Sequence, residues 1–176
     1  MGKWVIDPDH SVAAFAVRHM MVADVRGQFN KVSGTLTFDP DDLSRSSVEV
    51  VIDASGIYTG IKKRDDHLRS PDFLDVEKFP HIVFKSTHAE GAGEKGLRIT
   101  GKITIHGITK QITFAANCSG PEKSPYGEIS TGFTASISIN REDYSIMWNV
   151  PLESGGVMVG REILIILEIE ADLHAE

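Results

Sequence analysis

Apolar and polar residues alternate with a period of two along nearly the whole chain, and the 3.6-residue period of an amphipathic helix is scarce. From Leu97 to His106 every odd position is apolar or glycine and every even one is polar. Successive side chains of a strand point to opposite faces, so such a segment predicts a ribbon with one buried and one wetted side. The same alternation predicts strands over 11–19, 32–38, 48–53, 81–85, 97–106, 108–117, 129–140 and 163–173. Gly107 marks a tight turn joining two of them as a hairpin. Short connections make the set antiparallel, and no internal repeat suggests a propeller. A barrel and a sandwich both satisfy this pattern.

The main exception lies between Ile57 and Pro80. Gly60 to Ser70 has helix-forming composition, Pro71 stops it, and Pro71 to Asp75 could start a second short turn. One or two small helices are therefore expected in a long crossover, packed over one end of the sheet by Ile61, Leu68, Phe73, Leu74 and Phe79. Tight loops are expected at 39–42, 91–96 and 119–127. Ala13, Gly34, Gly101, Ala116 and Ala135 punctuate the faces that would turn inward. Small residues there leave room for a lumen, although a strand glycine equally marks a bulge or bend. Composition leaves a cavity and a filled core both open.

At 176 residues the chain is expected to form a single domain over 1–176, large enough to hold a core without disulfides or metals. A net charge of −7 argues against a nucleic-acid surface, which needs clustered Lys and Arg. Met1 to Asp9 has only three consecutive apolar residues before its carboxylates, which predicts no secretory segment and a cytoplasmic product. The longest strictly apolar run, Ile163 to Leu167, is far short of the ~20 residues that span a bilayer. The lone cysteine, Cys118, reads as a small half-buried side chain.

Seven histidines invite a metal, but they make no H-E-x-x-H, no Cys/His quartet and no H-x-H pair, so no metal site is expected. His10, beside Asp7 and Asp9, reads as a turn residue bonded to backbone rather than a catalytic base. His19 ends its strand next to Met20 and Met21, either as a polar group at a cavity mouth or as an ordinary strand terminus. There is no G-x-S-x-G elbow, and Gly155 to Gly160 does not match a phosphate-cradling loop. Lys62, Lys63, Arg64, His67 and Arg69 form a basic cluster that is either a solvated face offset by Asp65 and Asp66 or an anion-receiving patch.

Trp4-x-Ile6-Asp7-x-x-His10-Ser11-x-x-x-Phe15-x-Val17-x-His19 resembles the opening signature of the YceI-like family. Gly34-x-Leu36-x-Phe38-Asp39-Pro40 is similar to its second strand and turn. Arg64-Asp65-x-His67-Leu68-x-Ser70-x-Asp72-Phe73-Leu74-Asp75, with Phe79-Pro80, is similar to its helical crossover and is the most specific match. Gly101 to Lys110 resembles its central hairpin, and Asn140-Arg141-Glu142-Asp143-Tyr144 its Arg-x-Asp-aromatic turn, with Ser145 where the family usually has glycine.

The resemblance implies an all-β fold with one or two short helices: an antiparallel, lipocalin-like barrel of about eight strands around an apolar lumen. It implies a non-catalytic protein that binds, sequesters or carries a polyisoprenoid or similar long-chain amphiphile, such as a prenyl phosphate, an isoprenoid quinone or a fatty-acid-like lipid. It implies no cofactor beyond such a lipid, and a homodimer as one assembly. Many relatives are periplasmic, a location that Met1 to Asp9 does not support. One apolar parity of each strand is then expected to line the lumen: Phe15, Val17, Leu36, Phe38, Phe84, Ile99, Ile103, Ile112, Phe114, Phe133, Ile137, Ile165 and Leu167. His19, Arg64, His67 and Arg141 are the head-group candidates, and Met20, Met21, Met147, Trp148 and Met158 could supply adaptable apolar surface around an opening. Two rivals stand beside this expectation. One is an enzyme acting on such a ligand with His10 or His19 as acid or base; the other is an interaction module whose lumen is filled by side chains.

Overall fold

The structure is a computed structural model that describes residues 2–39 and 42–174. Its strands are β1 (Gly2–Ile6), β2 (Val12–His19), β3 (Ala23–Phe29), β4 (Val32–Phe38), β5 (Ser47–Asp53), β6 (Ile57–Tyr58), β7 (His81–Gly91), β8 (Gly96–Ile105), β9 (Ile108–Lys123), β10 (Ile129–Asn140) and β11 (Val159–Leu173). A single α-helix among the described residues, α1 (Lys62–Arg69), fills part of the crossover between β6 and β7. Short 3-10 turns sit at Leu43–Arg45, Ala54–Gly56 and Arg141–Tyr144.

Eleven strands make an eight-ribbon barrel because the first six are three ribbons, each bent once. β11 pairs with β2 through Leu167↔Ala13 and with β1 through Ala171↔Ile6, so β1 and β2 are two halves of one ribbon. β3 with β4, and β5 with β6, continue each other in the same way, since β2 pairs β3 and β1 pairs β4, while β3 pairs β6 and β4 pairs β5. The three bends lie side by side. Asn30 N donates to Gly56 O at 3.3 Å, and Asp53 N to Lys31 O at 3.0 Å. All pairings are antiparallel, and the β1–β11 contact closes the sheet into a barrel, with the two-residue β6 paired to β3 alone among the described strands. The barrel, rather than a sandwich, is thus the observed solution.

The hairpin at Gly107 is present, with His106 and Gly107 both at positive φ (51° and 73°) between the paired Ile105 and Ile108. That is the twist a two-residue connection needs to match right-handed strands. Other expectations shift. β3 was not legible as a strand. β9 runs to Lys123, well into the expected 119–127 loop. Of the one or two small helices expected in the crossover one forms, and Pro71 to Leu74 make the short turn expected after it. Of the expected loop at 39–42, Pro40 and Asp41 lie outside the described residues. Ser145, in the family's glycine position, adopts the left-handed conformation (φ 58°, ψ 24°) that glycine takes more readily.

Two buried clusters pack the interior of the barrel. One gathers Trp4, Ile6, Ala13, Val32, Leu36, Ile52 and Ala171. The other gathers Phe73, Phe84, Ile103, Ile105, Tyr144 and Ile146 beneath α1 and the turn that follows it. Leu68, Phe73 and Leu74 pack inward as expected, while Ile61 is a correction: it precedes the first helical turn and stands 53% exposed.

Candidate functional site

Between the two clusters lies a cavity of about 270 Å³ whose wall presents no polar surface. By the space one water needs, it has room for roughly 10–20 methylene-sized groups. All thirteen residues expected to face a lumen lie on its wall. The pattern is legible in the register: Phe133, Ala135, Ile137 and Ile139 of β10 oppose Ile169, Leu167, Ile165 and Ile163 of β11, and all eight point into the cavity. Strand β2 presents Ala13, Phe15 and Val17, joined by Ala14, so its inward parity is the odd one. Phe73, Leu74, Tyr144 and Ile146 also line the wall from outside the strands, where no alternation could announce them.

The small residues divide. Ala13, Ala116 and Ala135 line the cavity, but Gly34 and Gly101 make room for neighbouring chain instead. A Cβ on Gly101 would fall 2.5 Å from the Phe84 ring, and one on Gly34 would fall 2.1 Å from Glu49 O. Gly101 therefore lets an aromatic ring lie across β8, and Gly34 permits close backbone approach.

The head-group candidates require correction. Arg64 does not reach the cavity: its Nε donates to Thr59 Oγ1 at 2.7 Å and its guanidinium to Thr59 O at 2.9 Å. Buried Asp65 accepts from the same threonine's N–H at 2.9 Å, so the pair anchors α1 to the end of β6. His67 is also off the wall, bonded to Asp72 at 2.8 Å with its ring edge-on to Phe73 and Trp148. His19 lies at the rim, paired in register with Val159, and is likewise absent from the wall. Only Arg141 touches the cavity, and its guanidinium is held by backbone. Nε donates to Gly160 O at 2.8 Å, and the two terminal nitrogens donate to Ile146 O at 2.7 Å and Val159 O at 3.3 Å. Burial pushes its pKa down, Glu142 opposes that shift, and Arg161 adds to it. The basic cluster around α1 is largely self-satisfied, with Asp66 receiving both Lys62 and Arg69.

His10 is bonded to a carboxylate and not to backbone. Its Nδ1 lies 2.5 Å from Asp7 Oδ2 at the bend between β1 and β2, outside the cavity. Glu170 of β11 completes a group whose ligand-type atoms all lie within 4.8 Å of one another. This is the set among the described residues that could hold a cation, and sequence spacing missed it because Glu170 arrives from the far end of the chain. The hydrogen bond and charge of Asp7, with the charge of Glu170, raise the His10 pKa; the same bond to His10 lowers that of Asp7. A proton held more tightly in the folded state stabilises it fully below the ordinary histidine value of about 6.5 and ceases to do so as pH rises through the raised value. The stability difference between wild type and His10→Gln, followed by chemical denaturation, is expected to be largest near pH 5–6 and to shrink above neutrality. A difference that grows with pH would contradict this pairing.

A closed antiparallel barrel with one crossover helix among the described residues and a cavity lined mainly by aliphatic and aromatic side chains is the class of fold that these strands define. The YceI-like domain profile matches residues 4–171, and the chain is a member of that family. A UPF0312 protein of Staphylococcus aureus is 34% identical over 164 residues, covering 93% of each chain. One of Pseudomonas savastanoi is 34% identical over 145 residues, covering 81% of this chain and 76% of the relative. Among solved structures, BcnA of Burkholderia cenocepacia superposes with a TM-score of 0.81 at 22% identity over 94% of this chain and 98% of its own. A polyisoprenoid binding domain from Saccharophagus degradans, implicated in plant cell wall breakdown, superposes with a TM-score of 0.76 at 14% identity over 99% of this chain and 100% of its own. These two likenesses establish the fold.

Proposed function

We propose that the protein binds the hydrocarbon part of a polyisoprenoid or similar long-chain amphiphile in its lumen and holds it without chemical conversion. The observation that carries this is the cavity wall, apolar throughout and contributed by every ribbon of the barrel. Burial of hydrocarbon gains about 0.8 kcal/mol per CH₂, so each five-carbon unit adds up to ~4 kcal/mol before ordering costs. The polyisoprenoid-binding relative supports the choice of ligand class. A non-catalytic role is supported by the placement of His10 and His19 off the wall and by the engagement of Arg141 with carbonyl oxygens. A polar head, whether alcohol, phosphate or quinone, would then sit at the rim, because the wall offers it no partner.

Native mass spectrometry of gently purified protein is expected to show a copurified lipid. Titration with geraniol, farnesol and geranylgeraniol is expected to give affinities rising at least tenfold per added unit until the cavity is full. Affinity independent of chain length, or no binding of any of the three, would sink the proposal.

A further inference from the structure

Strand β3 is fully paired on one side only. It runs against β2 from Ala23↔His19 to Phe29↔Ala13, but on its other side only Gln28 and Phe29 have strand partners, Tyr58 and Ile57 of β6. Continued by one step, that register would set Gly27 opposite Thr59. The step is not taken, because the main-chain groups of Thr59 are engaged elsewhere. Its N–H donates to Asp65 Oδ1 at 2.9 Å and its carbonyl accepts from the Arg64 guanidinium at 2.9 Å, so α1 draws Thr59 off the ladder.

Side chains fill the place of the missing bonds. A Cβ on Gly27 would fall 2.5 Å from Phe15 Cζ and 2.8 Å from Thr59 Cγ2, so the aromatic ring and the threonine methyl meet over bare glycine. Phe15 also lies on the lumen wall, its ring tilted against that of Phe29 with centroids 5.8 Å apart. Outside the same seam an open groove of about 310 Å³ runs over Gly27, Tyr58, Thr59 and Ile166, a β11 residue of the parity that faces away from the lumen. Among the described residues Ala14 and Phe15 border both the groove and the lumen, and of the two only Phe15 has a side chain that can swing. One ring thus separates the outer groove from the apolar interior.

Opening the wall here costs little. Ribbons such as β10 and β11 part only by losing a ladder that runs from Ser130↔Asp172 to Asn140↔Glu162. Between Gly27 and Thr59 there is no ladder bond to lose, and the β3–β6 pairing beside it is short. Sparsely bonded pairings are the parts of a fold that open first. The Phe15 ring, the Thr59 methyl and Ile166 offer a passing chain apolar surface, so a hydrocarbon tail slides through without stripping water from a polar group. A polar head stays outside, because the lumen offers it no partner.

We propose that the hydrocarbon tail enters and leaves the lumen sideways, through the seam between Gly27 and Thr59, with the Phe15 ring as its gate. The proposal rests on the reading of the lumen as a lipid site. It is tested by cross-linking the seam. Gln28 and Tyr58 face each other across β3 and β6, and antiparallel partners lie about 4.5–5.5 Å apart at Cα, which a disulfide spans. In a Cys118→Ser background, which removes the chain's own thiol, Gln28→Cys/Tyr58→Cys is compared in its oxidised and reduced forms. Uptake of tritiated farnesol, followed by rapid filtration, is expected to be at least tenfold slower in the oxidised form. Both forms are expected to reach the same equilibrium affinity, which also shows that both fold. Phe15→Ala is expected to take up and to release farnesol at least tenfold faster than wild type, whereas loss of a mere ligand contact would speed release alone. Equal uptake by the oxidised and reduced forms, or uptake by Phe15→Ala no faster than by wild type, overturns the side entrance and leaves the lumen standing as the lipid site. Wild type that binds no farnesol overturns both.

Discussion

Arg141→Met is expected to lower the stability of the folded protein by about 3 kcal/mol or more, a loss of charge-assisted bonds that each contribute roughly 1.5–3 kcal/mol. For a chain of this length that corresponds to a fall of roughly 6–12 °C in the melting temperature. Arg141 is 3% exposed, and its forked head joins three places that the chain would otherwise leave apart: the 3-10 turn after β10, the loop at Ile146, and the first residues of β11. Methionine matches much of its length but donates nothing. Val159 O would keep its bond from Asn149 Nδ2 at 2.7 Å, while the arginine's bonds to Ile146 O and Gly160 O would be lost. Arg141→Lys is expected to recover less than half of the loss, since an ammonium cannot reproduce the planar fork. Thermal denaturation of the two variants beside wild type checks this. A drop below 1 kcal/mol for Arg141→Met would show that the turn is held mainly by Tyr144 and Ile146.

The role of Arg141 illustrates what the sequence left unreadable. Its spacing in Asn140-Arg141-Glu142-Asp143-Tyr144 marked a turn, but its acceptors are main-chain oxygens, which carry no sequence signature and lie up to 19 residues away. Arg64 was misplaced as a head-group residue for the same reason, since one threonine satisfies it. The wall of the lumen was legible because it depends on parity alone. Once β10 and β11 alternate in register, Ile137 and Ile165 must face the same side. Strand β3 escaped because Val25 and Phe29 are its only large apolar residues, with Gly27 between them where the Phe15 ring lies over the backbone. The bends escaped too: the chain changes partner at Asp7–Ser11 and Asn30–Lys31, and no local pattern separates a bent ribbon from two strands.

Ala135→Trp is expected to weaken binding of farnesol and longer prenyl chains at least 100-fold while leaving the ligand-free protein as stable as wild type or more so. Ala135 projects from β10 into the cavity, opposite Leu167 on one neighbour and Ala116 on the other. An indole there takes the space that several carbons of a ligand would occupy. At about 0.8 kcal/mol per displaced CH₂, loss of four or five contacts already exceeds a hundredfold. The same ring covers apolar wall that is otherwise poorly packed, and cavity filling commonly adds ~0.5–2 kcal/mol to stability. The opposite directions are what make the substitution informative. Overpacking of a solid core would lower stability and binding together, by roughly 1–3 kcal/mol in stability. A lumen that truly accepts a chain loses the ligand and keeps the fold. Isothermal titration with farnesol and a melting curve on the same sample separate the two cases. Tight farnesol binding retained by Ala135→Trp would place the ligand outside the barrel.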